Sequence, residues 1–224
     1  DLLFNVLPDT HKQILTVQYR MRRNIGNLIS QVFYEGKIAT EVDDKNRMHP
    51  IKKFAGKSII WIDTSMMDRK DESRLKGGSY CNYAENTLVK KLLEGFKNEG
   101  VLPNLDIGII TGYRGQKDLI RKSVNNSGYD RIAKGIDINT LDAFQGREND
   151  IIIYSTVRTK NSIGFQKEKE RVNVAFSRAK NLLIICGDMD FFYKFDDPDN
   201  KFIEIIDYIC EHEDECLVIP GGEI

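Results

Sequence analysis

Residues 138–148 read Ile138-Asn139-Thr140-Leu141-Asp142-Ala143-Phe144-Gln145-Gly146-Arg147-Glu148. They lead directly into the apolar run 150–154, so the pattern predicts two buried strands joined by a tight polar loop. Residues 171–180 then show an apolar stripe at helical spacing, with Arg171 and Arg178 seven residues apart. Seven residues make about two helical turns, which predicts that both arginines share one helix edge. Such a loop and helix can present guanidinium groups to phosphates.

Apolar runs alternate with amphipathic segments along the rest of the chain. Further strands are predicted at 14–17, 59–63, 106–110 and 182–186. Helices are predicted at 1–10, at 25–33 before Gly36, from an Asn82 cap with Glu85 as its capping-box partner, around 119–124, after Asp188, and at 202–209. Continuous apolar strands between helices predict an α/β fold, a three-layer αβα domain whose central, mostly parallel sheet is covered on both faces.

Polar residues follow several predicted strands, at 18–20, 111–116, 140–148 and 157–158. Functional groups of parallel sheets collect at the carboxyl ends of the strands, so we expect these clusters at one edge. Thr111 opens a helix, where free N–H groups attract anions, and Tyr113 and Arg114 add a stacking face and a charge. This combination suits a nucleic-acid backbone as well as a nucleotide.

Each candidate also has a purely structural explanation. Arg178 could extend from a helix rim to solvent, and Arg20 could form a structural salt bridge. Glu148 could cap or pair, and Tyr19 could be a core residue. The residues taken singly leave these alternatives open.

Composition narrows the class of protein. The 224 residues carry a net charge of −1, 30% charged and 41% hydrophobic residues, which is typical of a soluble globular domain. This balance excludes a uniformly basic coat but not a local basic track. No apolar run approaches the roughly 20 residues that span a membrane. Four cysteines without a Cys-x-x-Cys pair predict reduced thiols and a cytoplasmic protein. Because the chain opens on Asp1 without a leader, we expect a fragment.

Gly56-Lys57-Ser58 matches the last three residues of a phosphate-binding loop, but the residues around it do not match. Such a loop needs a glycine five residues earlier and a helix afterwards. Position 51 is isoleucine, and a predicted strand follows. The sequence therefore predicts no primary triphosphate cradle in this chain.

Several motifs together resemble the superfamily 1 helicases, nearest the branch of the nonsense-mediated-decay RNA helicase and its bacterial relatives. They are residues 18–21 (Gln-Tyr-Arg-Met), 33–36 (Phe-Tyr-Glu-Gly), 108–116, 142–148 and 171–180. The resemblance implies that residues 1–224 form one C-terminal RecA-like domain of a two-domain motor. The N-terminal RecA-like domain, with its phosphate loop and magnesium carboxylate, would lie upstream of this chain.

The same resemblance implies roles for individual residues. Arg20 and Arg178 match arginine fingers, and Gln145 matches a residue that couples the sites. Tyr19 matches the ring that stacks on adenine. Gly146 matches a residue that lies close to the nucleotide, and Glu148 matches the carboxylate that binds its ribose. Single-stranded nucleic acid would be contacted by Thr111, Arg114 and Thr140, with Tyr113 beside them. Gly112 stands where the family commonly has proline, which predicts a looser strand exit.

The implied activity is ATP-driven translocation and strand separation on DNA or RNA, with Mg²⁺ held by the missing domain. We expect single-stranded nucleic acid and the N-terminal RecA-like domain as partners, no membrane, and no metal site here. The isolated chain is predicted to be inactive. A non-hydrolysing nucleic-acid-binding module of the same fold is the alternative, and a self-contained phosphoryl-transfer enzyme is disfavoured by the missing phosphate loop.

Overall fold

The computed structural model describes residues 16–144 and 146–224. The strands are β1 (Val17–Gln18), β2 (Ala39–Thr40), β3 (Ile59–Asp63), β4 (Ser73–Arg74), β5 (Tyr80–Cys81), β6 (Asp106–Thr111), β7 (Gly135–Thr140), β8 (Asn149–Ser155), β9 (Ala179–Gly187) and β10 (Cys216–Pro220). The α-helices are α1 (Arg23–Tyr34), α2 (Tyr83–Asn98), α3 (Arg114–Ser127), α4 (Lys169–Phe176), α5 (Met189–Lys194) and α6 (Phe202–Glu211). The predicted helix over 1–10 and positions 14 and 15 of the first predicted strand lie outside the described residues.

Six strands form the central sheet in the order β10-β3-β9-β8-β6-β7, and every neighbouring pair is parallel. Successive side chains of each strand point to opposite faces, and both faces are covered. On β8, Ile152 and Tyr154 belong to one core cluster, whereas Ile151 and Ile153 belong to the other. The predicted α/β architecture with a parallel sheet between two helical layers is confirmed.

The two faces carry different cores. One face packs against α1, α4, α5 and α6 and is rich in aromatic rings, such as Phe176 at 5.2 Å from Tyr154 and Phe202 at 6.0 Å from Trp61, measured between ring centroids. The other face packs against α2 and α3 and is mainly aliphatic. Burying apolar area on both sides explains the uninterrupted apolar runs of the central strands.

A short crossover joins β7 to β8 and passes the intervening strand β6. Only residues 141–148 connect the carboxyl end of β7 with the amino end of β8. This close passage requires Gly108 on β6, because a Cβ there would lie 2.7 Å from the Phe144 ring. The crossover of residues 141–148 therefore runs from one edge of the sheet to the other.

The structure differs from the predicted elements in several places. Helix α4 ends at Phe176 and β9 starts at Ala179, so Arg178 lies in the connection and shares no helix edge with Arg171. The strand β10 was not predicted from its short apolar run. β1 pairs with β2 in a separate two-stranded sheet, and two further short strands that were not predicted, β4 and β5, pair with each other antiparallel.

The start of α2 also differs in one contact. Asn82 caps the helix as predicted, because its Oδ1 accepts a hydrogen bond from the Glu85 N–H at 3.1 Å. The expected return bond from the Glu85 side chain is wrong. The Glu85 carboxylate instead accepts from the hydroxyls of Ser155 and Thr156 and from the N–H of Val157, at the carboxyl end of β8.

Other local predictions are confirmed. The Gly56-Lys57-Ser58 segment leads into β3 and not into a helix, so the strand predicted after it is confirmed. Helix α1 stops at Glu35 and Gly36, both in the left-handed backbone region. Across the described ranges, no helix combines the length and apolar character needed to cross a membrane.

Candidate functional site

Three predicted site residues meet at the amino edge of the sheet. Glu148 immediately precedes β8 and Arg178 immediately precedes β9, and the Asn149 N–H donates to the Arg178 carbonyl at 3.1 Å. Arg20 reaches the same place, where its Nε donates to Glu148 Oε2 at 2.6 Å and its Nη1 to the Ser177 carbonyl at 3.3 Å. The structure thus pairs Arg20 with Glu148 and brings Arg178 close enough for its charge to interact with both.

The expectation that all polar clusters share one edge is wrong. Thr111 and Thr140 lie opposite each other at the carboxyl ends of β6 and β7, whereas Glu148 and Arg178 lie at the amino ends of β8 and β9. The reason is the crossover over residues 141–148, which starts at one edge and finishes at the other. Two separate candidate sites follow from this path.

The amino-edge cluster has an excess of positive charge. Arg20, Arg178 and Lys180 face the two carboxylates of Glu148 and Asp150, with Lys180 Nζ 3.3 Å from Asp150 Oδ1 and 3.9 Å from Glu148 Oε1. Burial, and after it the positive charge of Arg20, lowers the pKa of the Arg178 guanidinium, while Glu148 counteracts this shift. An arginine stays protonated in spite of such a shift, so the cluster remains cationic.

Arg178 also carries an unsatisfied donor. Its Nε is buried and has no hydrogen-bond partner among the described residues. A buried N–H without a partner is rare in folded proteins and costs stability. An anion bound at this edge would meet both the free donor and the excess charge, so the residues present fit the phosphates of a nucleotide.

Tyr19 stands beside this cluster with its ring in solvent. The residue is 64% exposed, which shows that the core alternative is wrong for Tyr19. Its hydroxyl lies 3.4 Å from Glu41 Oε2, and Arg47 holds the backbone by donating to the carbonyls of Tyr19 and Arg20 at 3.3 and 2.8 Å. A ring held in this way offers a free face for stacking.

Gly146 is exposed and has a φ of +82°, a left-handed conformation that favours glycine. A Cβ there would meet no atom within 4 Å, so the conformation and not crowding accounts for glycine. Gln145, the predicted coupling residue, lies outside the described residues.

A groove of about 650 Å³ opens at the carboxyl edge of the sheet. Arg114 and Thr140 line it as predicted for a nucleic-acid contact, and 83% of the Arg114 side chain is exposed. Gly112 forms part of the same wall, with ordinary van der Waals space for a Cβ.

Two predicted contacts are buried instead. Thr111 has no exposed surface, and its Oγ1 accepts from the Tyr113 N–H at 3.4 Å, so it supports the helix start. The Tyr113 ring is 4% exposed between Tyr80 and Phe165, at centroid distances of 5.7 and 5.3 Å. The free stacking face predicted for Tyr113 is therefore wrong, because its neighbours cover the ring.

The sequence reading did not single out Tyr80, Phe165 or Glu72. Tyr80 and Phe165 line the groove, and the Arg158 guanidinium lies 4.5 Å from the centroid of the Tyr80 ring. Arg158 is held by a buried ion pair, with its Nε 2.8 Å from Glu72 Oε2. An aromatic residue directly after a glycine, as in Gly164-Phe165, was the one signal available for Phe165.

Comparison with known proteins adds the family. A family model described as an AAA domain matches residues 2–190. The chain belongs to this family. It is 31% identical over 215 residues to the DNA polymerase alpha-associated DNA helicase A of Saccharomyces cerevisiae, covering 89% of this chain and 30% of that protein. It is 35% identical over 183 residues to the ATP-dependent helicase upf1 of Schizosaccharomyces pombe, covering 77% of this chain and 19% of that protein.

These matches confirm the resemblance to the superfamily 1 helicases. Among solved structures, the C-terminal domain of a possible DNA helicase from Lactobacillus plantarum is similar with a TM-score of 0.46 and 13% identity, over 76% of this chain and 87% of that one. The chain spans less than a third of either curated relative.

Proposed function

We propose that this chain is the C-terminal motor domain of an ATP-dependent helicase, and that it acts on ATP at the amino edge and on a single strand at the carboxyl edge. The cluster of Arg20, Glu148 and Arg178 carries this proposal. It pairs Arg20 with Glu148, places Arg178 within reach of the charges of both, and leaves the Arg178 Nε without a hydrogen-bond partner among the described residues. A domain that only bound nucleic acid would have no need for such an arrangement away from its groove.

Each residue at the amino edge would contact a different part of ATP. Bound ATP supplies the γ-phosphoryl group that is transferred to water. Arg20 and Arg178 would hold its oxygens through charge-assisted hydrogen bonds, and would stabilise the charge that redistributes during transfer. The Glu148 carboxylate can accept hydrogen bonds from ribose hydroxyls, and the exposed ring of Tyr19 can stack on the base.

The remaining parts of the ATP site belong to a second domain in this proposal. The Gly56-Lys57-Ser58 segment enters a strand, and no group of three or more His, Cys, Asp or Glu in the described ranges is placed to hold a metal. We therefore assign the phosphate loop and the magnesium ligands to an N-terminal RecA-like domain of the same protein. The isolated chain should not hydrolyse ATP.

The crossover offers a physical link between the two edges. Thr140 stands at its start in the groove, and Glu148 stands at its end beside the arginines. Phe144 packs against Gly108 between them, which fixes the middle of the segment to the sheet. A shift at the nucleotide edge would thus be passed along eight residues to the strand-binding groove, and Gln145 lies within this segment.

A cytoplasmic site of action is part of the proposal. All four cysteines are free, and three of them are buried, which supports a reducing compartment. Single-stranded DNA and RNA are both retained as substrates in this proposal.

Phosphate release by the full-length protein tests the proposal. Turnover should rise when single-stranded DNA or RNA is added, and a partial duplex should be separated only with hydrolysable ATP. Binding of both ligands without any turnover would instead support the non-hydrolysing module and overturn the motor assignment.

A further inference from the structure

Phe165 is a large apolar side chain that remains 46% exposed in the wall of the carboxyl-edge groove. Single exposed apolar residues are common on protein surfaces, so exposure alone indicates nothing. Phe165 differs from such residues because the chain is firmly held on both sides of it.

Gly164 precedes the ring with a φ of +64°, and a Cβ at this position would lie 1.9 Å from the Tyr113 Oη. Both the conformation and the close approach require glycine. Gln166 follows the ring and is fully buried, with its Nε2 donating to the Thr156 carbonyl at 3.0 Å. These anchors keep the Phe165 ring in the groove, because they prevent the loop from turning the ring into the core.

The surroundings of the ring are aromatic and cationic. The Arg171 guanidinium lies 5.3 Å from the Phe165 centroid, and the Tyr113 ring supports it at 5.3 Å with a tilt of 50°. Elsewhere in the groove, Arg158 lies over the Tyr80 ring. Rings supported by arginines are the means by which single-strand-binding proteins stack bases without reading their sequence.

We propose that Phe165 stacks on a nucleobase of the bound single strand, while Arg114 and Thr140 hold the backbone beside it. This inference rests on the proposed function, since it names a contact within the same groove. A nucleobase fits this wall better than an apolar side chain of a protein partner does. The exposed Arg114 guanidinium and the Thr140 hydroxyl lie in the same groove as the ring, and they match the phosphate and the sugar that are attached to a base.

The test is an abasic scan in the full-length protein. A short single strand is compared with copies that each lack one base, and dissociation constants are measured for the wild type, Phe165→Ala, Phe165→Leu and Phe165→Tyr. In the wild type, loss of the stacked base should weaken binding on the order of 5- to 150-fold at one position. Phe165→Ala and Phe165→Leu should show no penalty at that position, whereas Phe165→Tyr should retain it.

A wild-type penalty profile in Phe165→Ala, unchanged at every position, would overturn the stacking contact. Thermal melting checks that each variant is folded, and we expect folded variants because the Phe165 side chain is half exposed. Failure of the proposed function looks different, because the wild type would then bind neither intact nor abasic strands. Arg114→Ala is the matched comparison: it should weaken intact and abasic strands equally and reduce the slope of log affinity against log salt by about one.

Discussion

Arg20 donates from its Nε to Glu148 Oε2 over 2.6 Å, and so joins two residues that lie 128 positions apart in the chain. Their side chains are 39% and 45% exposed, and an ion pair this exposed contributes little to stability. Its consequence is positional, because the pair fixes Arg20 beside Arg178 at the amino edge of the sheet. Together with the hydrogen bond from Arg20 Nη1 to the Ser177 carbonyl, this contact brings together residues of three separate motifs.

Replacing Gly108 tests the close passage of the crossover. Gly108→Ala should destabilise the chain by about 1–3 kcal/mol, because its Cβ would overlap the Phe144 ring and the Ile152 side chain. Gly95→Ala is the matched control: Gly95 is exposed in α2 with nothing within 4 Å of a Cβ, so alanine should stabilise the helix by about 0.5–1 kcal/mol. Urea unfolding of both variants measures the shifts. A stable Gly108→Ala chain would show that the crossover does not lie against β6.

Glu85 predicts a dependence of stability on pH. Burial raises the pKa of its carboxyl to about 8, although hydrogen bonds from Ser155, Val157 and Thr156 oppose the shift. The folded state therefore holds a proton that the unfolded chain releases near its ordinary pKa. This contribution to the free energy of unfolding is complete below about pH 4.5 and is lost as the pH rises through about 8.

Glu85→Gln removes the titrating group and keeps its shape. The difference in unfolding free energy between wild type and Glu85→Gln should shift in favour of the variant as the pH rises from 5 to 9, by about 1.4 kcal/mol per pH unit up to about pH 7, and should level off above about pH 8. Urea unfolding at several pH values measures it. A constant difference across this range would show that Glu85 is already ionised in the fold.

Much of this fold could be predicted from the sequence, because strands buried on both faces of a parallel sheet appear in the sequence as continuous apolar runs. The end of α4 could not, since no glycine or proline marks it and the chain turns at Ser177 to enter β9. The hydrogen bonds of the Glu85 side chain could not be predicted either. The local pattern Asn82-x-x-Glu85 is typical of a capping box, but the carboxyl end of β8, which is distant in sequence, supplies stronger partners.

The sequence motifs named residues of the candidate site but did not locate them in the fold. The motifs identified Arg20, Glu148 and Arg178 correctly as neighbours, but the edge on which they lie depends on the path of the crossover. Burial of Thr111 and Tyr113 depends on rings from distant loops, such as Phe165. Periodicity carries no information about either.

Tyr19 should affect ground-state binding of the nucleotide. Because its ring is exposed and its hydroxyl forms one long hydrogen bond within the described residues, Tyr19→Ala should leave the melting temperature nearly unchanged. Base stacking is equal before and during phosphoryl transfer, so KM for ATP should rise while kcat is kept. Steady-state kinetics of the full-length protein check this, with Tyr19→Phe as the variant that retains the ring. A fall in kcat at constant KM would contradict the stacking role.

The most direct measurement is kcat for strand-stimulated ATP hydrolysis by full-length Arg178→Ala, beside Arg131→Ala as an exposed arginine between α3 and β7 that belongs to neither proposed site. A guanidinium that stabilises charge in transfer contributes about 10³–10⁵ in rate, so kcat of Arg178→Ala should fall by that order with little change in nucleotide affinity. Arg131→Ala should keep its turnover. A folded Arg178→Ala protein with normal kcat would contradict the assignment of the amino edge to ATP hydrolysis.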